Sequence, residues 1–143
     1  MNKEPEKEFM RLAIEEAKKS SETLKCGVVV TKNDKVIAKA YNSQRESKNS
    51  SAHAEIKALG VAGQVVGDKN LDGCDMYCTC EPCIMCVAAI AFAKIERLFY
   101  GLSLSDVSPV NKRIDISIDE FLEKSPHKFQ VTKNFLEKEC KCT

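Results

Sequence analysis

Cysteine distribution constrains this chain more than any other sequence feature, because five of its eight cysteines lie within the thirteen residues from Cys74 to Cys86. The first eight residues lack the apolar stretch of a secretory signal, so we expect a cytoplasmic protein in a reducing environment. Clustered cysteines in such a protein indicate metal binding or chemistry before disulfides. The spacing of the cysteines then has to identify the ligands.

Helical and extended hydrophobic patterns alternate along the chain. The predicted elements are a helix over 5–20, a hairpin of strands over 26–31 and 35–41, a helix over 52–62 capped by Ser50 or Ser51, a strand over 74–79, a helix from Pro82 to about Lys94, a strand over 96–101, an extended segment over 113–117, a helix over 118–124, a strand over 128–131 and a terminal helix from Thr132. This order predicts an α/β protein in which helices cover a central sheet, and the length fits one domain over residues 1–143.

Charge and hydropathy exclude several classes of protein. A net charge of +1 provides no global field that attracts polyanions. The stretch from Thr31 to Lys57 has six basic and three acidic residues, a balance that suits a solvated face as well as a nucleic-acid contact. The longest apolar run, Cys83 to Ala93, is shorter than the roughly 20 residues that span a bilayer. We therefore expect a globular protein outside the membrane.

Two short motifs at predicted helix starts combine imidazole, carboxylate and thiol groups: His53-Ala54-Glu55 and Pro82-Cys83-Ile84-Met85-Cys86. Cys83 and Cys86 are three residues apart and share a helix face, so both can bind one ion. With His53 as the third ligand, a tetrahedral zinc ion, one per chain, keeps a position open for water, as catalytic zinc sites do. Zinc lowers the pKa of that water from 15.7 to about 7.

Glu55 follows His53 by two residues and therefore points to a different side of the helix, away from direct ligation. We predict that Glu55 is the catalytic residue, which takes a proton from the water and returns it to the substrate. Proton transfer of this kind contributes roughly 10² to 10⁴ in rate.

Other arrangements of the cysteines remain open. Cys83 and Cys86 also fit a redox pair or half of a structural zinc site. Cys80, with Cys78 or Cys74, can replace His53 in an all-cysteine site, which leaves Glu55 without a function. The remaining predictions are packing residues at Cys26, Cys74 and Cys78, an exposed tail with Cys140 and Cys142, for which a second metal or redox role is the alternative, and a surface histidine at His127.

The spacing H-x-E followed by P-C-x-x-C is the signature of zinc nucleobase deaminases. Together with CGVVV and Tyr41-Asn42, AHAEIKAL at 52–59 and CEPCIMC at 80–86, it makes the chain resemble the cytidine deaminase-like superfamily, in its branch of bacterial guanine, cytosine and tRNA-specific adenosine deaminases. The resemblance covers about residues 9–101. It implies a three-layer α/β/α fold with a central mixed five-stranded sheet, one zinc ion, ammonia release and a homodimer.

The same resemblance implies three substrate contacts, at Asn42, at the backbone amide of Ala54 and at Glu81. Asn42 also suits the end of a strand, and Glu81 also suits a helix cap. After the fourth strand, the guanine deaminase branch usually carries a Phe-Asp-Asp segment of its guanine pocket. The corresponding stretch of this chain, 102–115, instead contains Ser105-Asp106 and Arg113-Ile114-Asp115.

Three functions follow as hypotheses. The first is hydrolytic deamination of a small-molecule nucleobase or nucleoside, guanine or a related base, favoured by Cys80 before Glu81 and by the near-zero net charge. The second is a tRNA-specific adenosine deaminase, favoured by EIKAL at 55–59 and by the local basic balance. The third is a non-catalytic zinc-stabilised binding domain, which has no need for Glu55.

Overall fold

The computed structural model describes residues 3–141 and contains a five-stranded mixed sheet. Its strands are β1 Gly27–Lys32, β2 Lys35–Tyr41, β3 Cys74–Cys80, β4 Arg97–Leu102 and β5 Gln130–Thr132. They lie in the order β2-β1-β3-β4-β5. β1 is antiparallel to β2 and β3, whereas β4 is parallel to β3 and β5. The mixed five-stranded sheet is thereby confirmed.

The described part of the chain also forms helices of very different lengths. They are α1 Lys7–Ala17, α2 Gln44–Ser47, α3 Ala54–Val66, α4 Ile84–Phe92, α5 Leu104–Val107, α6 Ile118–Lys124 and α7 Glu137–Cys140, with a 3₁₀ turn at Val110–Lys112. Within residues 3–141, none of these helices has the length and apolar character needed to cross a membrane.

The sheet separates two hydrophobic clusters, because successive side chains of a strand point to opposite faces. Val28 and Val30 pack with α3, α4 and α6, while Val29 packs with α1 and α7. On the α1 face, the rings of Tyr77 and Phe99 lie with their centroids 4.7 Å apart. This arrangement confirms the predicted three-layer α/β/α fold.

The strand register brings four chain segments together at one edge of the sheet. Tyr41, the last residue of β2, pairs with Gly27, and Val28 pairs with Cys78 near the end of β3. At the end of the parallel pair, Cys80 lies opposite Leu102. The segments that follow β2, β3 and β4 therefore meet where β1 begins, and the helices α3 and α4 start from this edge.

Two helix boundaries differ from the sequence prediction. α3 begins at Ala54 with His53 as its N-cap, so neither Ser50 nor Ser51 caps it, and it continues to Val66, where Gly67 has a φ of 79°. It passes through its internal glycines because its small apolar residues are buried against the sheet, and burial outweighs a glycine cost of about 1 kcal/mol each. Pro82 lies before α4, because Cys83 holds an extended conformation at the N-cap.

The last third of the chain departs furthest from the prediction. The helix over 118–124 is confirmed and a strand forms near the predicted place, but the segment over 113–117 does not join the sheet. The terminal helix begins only at Glu137, not at Thr132. Asn134 and Leu136 have positive φ values of 57° and 51°, which interrupt a helix. The amide of Asn134 also donates to the carbonyl of Gly101, which holds this segment on β4.

Candidate metal centre and active-site pocket

Three potential metal ligands converge at the starts of α3 and α4. The Sγ atoms of Cys83 and Cys86 lie 3.7 Å apart, and His53 Nδ1 lies 3.7 Å from the first and 3.6 Å from the second. His53 and Cys83 are the N-cap residues of the two helices, yet neither side chain caps its own helix. Both side chains instead face the common point between the helices. The sequence-predicted ligands are thus brought together.

The triangle formed by these atoms fits a tetrahedral zinc ion. Zinc–sulfur and zinc–nitrogen bonds of about 2.3 and 2.1 Å place two sulfurs about 3.8 Å apart and a sulfur and a nitrogen about 3.6 Å apart. The observed separations agree with these values. The backbone of Ser50 also hydrogen-bonds to the His53 ring, the kind of contact that orients a ligating histidine.

The thiols of Cys83 and Cys86 form a hydrogen bond with each other. A hydrogen bond from Cys86 lowers the pKa of Cys83 to about 4, while the same interaction raises the pKa of Cys86. Hydrogen bonding to Cys83 also raises the pKa of His53. Cys83 is the N-cap of α4 and Cys86 lies in its first turn, so the helix dipole favours thiolate at both positions. A soft divalent cation that replaces the hydrogen-bonded proton would be held by two thiolates and one imidazole.

Glu55 lies beside the ligand triangle in the first turn of α3 and is 6% exposed. Burial raises the pKa of its carboxyl to about 7. The negative charge of Cys83 acts in the same direction, whereas the backbone N–H of Glu55, His53 and a hydrogen bond from Cys86 lower the pKa. A carboxyl in this environment can both take and give a proton near neutral pH.

A cavity of about 440 Å³ opens over the ligands and Glu55. Its size lies within the range of small-molecule sites, about 300–1,000 Å³. Its walls come from the segment before β1, the segment after β2, the starts of α3 and α4, and the segment after β4. The lining residues are Glu22, Thr23, Leu24, Cys26, Asn42, Gln44, Arg45, Ser50, His53, Ala54, Glu55, Cys80, Glu81, Cys83, Ile84, Met85, Leu104, Ser108, Lys112, Arg113 and Ile114.

The three predicted substrate contacts all line this cavity. Asn42 Nδ2 donates to the carbonyl of Leu24 at 2.7 Å, and its Oδ1 accepts from the N–H of Cys26 at 2.9 Å, so the amide holds the start of β1. Ala54 is the first residue of α3, where a backbone N–H has no intrahelical acceptor. Glu81 Oε1 accepts from the N–H of Leu104 at 3.0 Å. Contact of these groups with substrate stays a prediction.

The other cysteines do not join the metal centre. Within residues 3–141, the ligand cluster consists of His53, Cys83 and Cys86, so the all-cysteine alternative has no geometric support. Cys74 and Cys78 are buried in β3, as predicted for packing residues. Cys26 precedes β1 instead of lying within it, and it lines the cavity.

Two predictions about the C-terminal third are wrong. Cys140 is 1% exposed because α7 folds back against α1 and the sheet, so it is not part of an exposed tail. Cys142 lies outside the described residues. His127 is half-buried, with Nε2 2.8 Å from the carbonyl of Ile95, because the chain approaches the sheet here, three residues before β5 begins.

Sequence reasoning missed the outer wall of the cavity. Lys112, Arg113 and Ile114 follow β4, whereas Glu22 and Arg45 come from the segments before β1 and after β2. None of these residues belongs to a recognisable spacing motif. The departure of 102–115 from the guanine deaminase pattern was the available signal that this segment carries its own pocket residues.

The profile of the cytidine and deoxycytidylate deaminase zinc-binding region matches residues 3–102. The chain belongs to this deaminase family. Zinc, predicted from the ligand spacing and consistent with the ligand geometry, is therefore also the metal of the family.

Known members of the deaminase family resemble this chain closely. The tRNA-specific adenosine deaminase of Agrobacterium fabrum is 44% identical over 95 residues, which are 65% of this chain and 62% of that protein. The match thus spans less than two thirds of the relative. A structure solved in work on A-to-I editing by tRNA:A34 deaminases has 34% identity and a TM-score of 0.82, covering 95% of this chain and 98% of that one. The guanine deaminase of Bacillus subtilis has 30% identity and a TM-score of 0.69, covering 87% and 76%.

The first functional hypothesis, a guanine deaminase-like enzyme, is wrong. Relatives of this deaminase at up to 44% identity are named tRNA-specific adenosine deaminases, and the tRNA:A34 deaminase structure has the higher TM-score. The near-zero net charge misled the prediction, because local charge at the pocket decides whether a polyanion binds. The preference for a small-molecule partner over tRNA rested on the same charge argument and on Cys80 before Glu81.

Proposed function

We propose that this chain is a zinc-dependent tRNA adenosine deaminase that converts adenosine to inosine, with consumption of water and release of ammonia. The observation that carries the proposal is the cavity over the ligand triangle and Glu55, in a chain that is 44% identical to a tRNA-specific adenosine deaminase. Deaminases of this kind reach an unpaired or flipped base, and an exposed adenosine in an RNA loop meets that requirement.

In this proposal His53, Cys83 and Cys86 hold the zinc ion. When bound, zinc supplies an activated water at neutral pH. Glu55 takes the first proton of the attacking water and delivers it to a ring nitrogen. It then takes the second proton from the hydroxyl group that has been added to the carbon and gives it to the amine, which leaves as ammonia as the C–N bond breaks and the C=O bond forms. Its pKa of about 7 suits both directions of transfer. Its burial beside the ligands keeps bulk water from competing for the proton.

Asn42, Ala54 and Glu81 are proposed to position the nucleoside. Each lines the cavity, and each comes from a different wall. Glu81 also holds Leu104 at the start of the segment after β4, so it connects the metal side of the cavity with the outer wall. Loss of Glu81 is therefore expected to affect substrate binding through this wall.

We also propose that the protein works as a homodimer, in keeping with a cytoplasmic tRNA-modifying enzyme. α4 has the sequence IMCVAAIAF, without a single charged residue, yet Phe92 at its end is 84% exposed. Val61 and Val65 on the neighbouring α3 are 46% and 60% exposed. A helix that is apolar all round is normally buried, so this face suits a second copy of the chain.

The decisive experiment incubates the zinc-loaded protein with a tRNA that carries adenosine at the wobble position. Inosine, read as guanosine after reverse transcription, is expected at that position alone. The same tRNA with guanosine at this position is the control and should remain unchanged. Release of ammonia from free bases without any inosine in tRNA would contradict the proposal.

A further inference from the structure

Three basic side chains lie at the mouth of the cavity. Within the described residues their charges are largely unpaired. Arg45 follows β2, whereas Lys112 and Arg113 follow β4, so they approach the cavity from two walls. Arg45 and Lys112 are exposed. Among residues 3–141, neither of these two side chains makes a hydrogen bond or ion pair.

Arg113 is held more tightly than the other two. Its side chain is 14% exposed, and Nη1 donates to the carbonyls of Leu104 and Ser108. Nη2 only approaches Asp115 Oδ1 at 3.6 Å, and Asp115 is 65% exposed. In the described structure Nε has no hydrogen-bond acceptor. The guanidinium is thus oriented by backbone contacts while part of its donor edge stays unused.

The acidic groups that line the same cavity do not neutralise this edge. Glu22 Oε2 accepts from the backbone N–H of Arg45, and Glu81 accepts from the backbone N–H of Leu104. Glu55 is buried over the ligand triangle. Glu22 and Glu81 keep their charge but each directs an oxygen to a backbone amide, and Glu55 is buried, whereas Arg45 and Lys112 are exposed and make no ion pair within residues 3–141.

We propose that Arg113, Lys112 and Arg45 form a phosphate subsite at the cavity mouth, which holds the RNA backbone beside the nucleotide to be deaminated. An oriented guanidinium with free donors binds phosphate with defined geometry, and flexible Lys and Arg side chains add charge. The inference rests on the proposed function. A nucleoside 5′-monophosphate offers the same chemistry, so the test separates the two sources.

The test measures binding of a labelled stem-loop RNA, with adenosine at the wobble position, over a series of salt concentrations. Each lost phosphate contact is expected to reduce the slope of log K against log salt by about 0.7 to 0.9. The variants Lys112→Gln and Arg45→Gln should each show this reduction. Lys69→Gln removes an exposed charge after the far end of α3 and should leave the slope unchanged.

Arg113→Lys retains the charge but loses the two-pronged geometry, so it should weaken RNA binding while the slope changes little. Arg113→Gln can also loosen the loop that Arg113 holds, so circular dichroism has to confirm that this variant is folded. The side chains of Lys112 and Arg45 do not hold a loop in this way. Lys112→Gln and Arg45→Gln therefore remain informative even if Arg113→Gln is not folded.

Slopes of Lys112→Gln and Arg45→Gln equal to that of the unmodified protein would overturn the subsite, even if the protein deaminates tRNA. If the protein neither binds nor edits RNA, the proposed function fails. In that case, binding of a nucleoside monophosphate that weakens in Lys112→Gln supports the subsite with a mononucleotide as its ligand. Absence of phosphate-dependent binding to either ligand overturns it.

Discussion

Glu55, the proposed proton carrier, shows how much of the chemistry of a side chain is decided at the scale of the residue and its immediate surroundings. Its position two residues after His53 keeps it from ligating the metal, which the sequence alone predicted. Its burial, however, comes from the packing of α3 on the sheet, and that burial raises the pKa of the carboxyl to about 7. The residue type provides the carboxylate, and the packing brings the pKa of this group close to neutral pH.

Replacement of Glu55 by glutamine is expected to lower the deamination rate by roughly 10² to 10⁴, because the proton carrier is removed while the ligands stay in place. Zinc content, measured by atomic absorption, should remain one per chain. Glu16→Gln is the matched control, since Glu16 is 5% exposed but lies on α1 and pairs with Lys19. Unchanged catalysis in Glu55→Gln would support the non-catalytic binding domain.

The raised pKa of Glu55 also predicts a pH dependence of stability for the zinc-free protein. A folded-state pKa of about 7 against the ordinary 4.5 means that the folded state holds the proton more tightly. The stabilisation is then complete below pH 4.5 and is lost as the pH rises through 7. Glutamine binds no such proton. The free energy of unfolding of Glu55→Gln, relative to that of the unmodified protein, should therefore rise by up to about 3 kcal/mol over this window.

Urea unfolding of both zinc-free proteins at several pH values measures this difference. Cys83 and His53 titrate in both proteins, and their charges interact with that of Glu55, so the difference measures the carboxyl together with this coupling. A free-energy difference that stays constant between pH 4.5 and 7 would show that the carboxyl is not desolvated.

At the scale of elements, Gly27 marks a very close approach between α1 and the start of β1. A Cβ at Gly27 would lie 1.9 Å from the carbonyl oxygen of Ala13 and 2.5 Å from the backbone nitrogen of Ala17. Only a glycine allows the helix to lie this close to the strand. The same strand start is held by Asn42, so the position of α1 is linked to the floor of the cavity.

Gly27→Ala is therefore expected to destabilise the protein by more than the roughly 1–3 kcal/mol typical of overpacking, because backbone atoms have to move. Gly60→Ala is the matched control. Gly60 lies inside α3, and a methyl group added there would meet no atom within 4 Å, so alanine should stabilise the helix by about 1 kcal/mol. Denaturant unfolding measures both changes, and equal effects would contradict the packing argument.

At the scale of the whole molecule, the outer face of α3 and α4 exposes large apolar side chains to solvent. Phe92 lies beside a groove of about 500 Å³ between α4 and α6, lined in part by Ala88, Ile116 and Phe121. This groove increases the apolar surface that a second copy can cover. The cavity with the ligands opens elsewhere, although Ile84 lines both cavities.

Phe92→Asp is expected to convert a dimer into a monomer, because it replaces the most exposed apolar side chain of the proposed interface with a charge. Light scattering coupled to size exclusion measures the mass. Val36→Asp, which changes a 37% exposed valine on the edge strand β2, should leave the dimer intact. A monomeric unmodified protein at micromolar concentration would exclude the interface.

The sequence by itself predicted the candidate metal ligands and Glu55 from local spacing, and most of the strands from their periodicity, whereas the deaminase family followed from the resemblance of whole motifs. His53, Cys83 and Cys86 could be predicted since their residue types and helix-start positions restrict the chemistry. Only the tertiary structure decided the outer wall of the cavity. Arg113 gains its orientation from the carbonyls of Leu104 and Ser108, and Arg45 reaches the same mouth from a segment distant in sequence. Contacts between distant segments leave no period in the sequence, which is why the substrate preference was wrong while the chemistry was right.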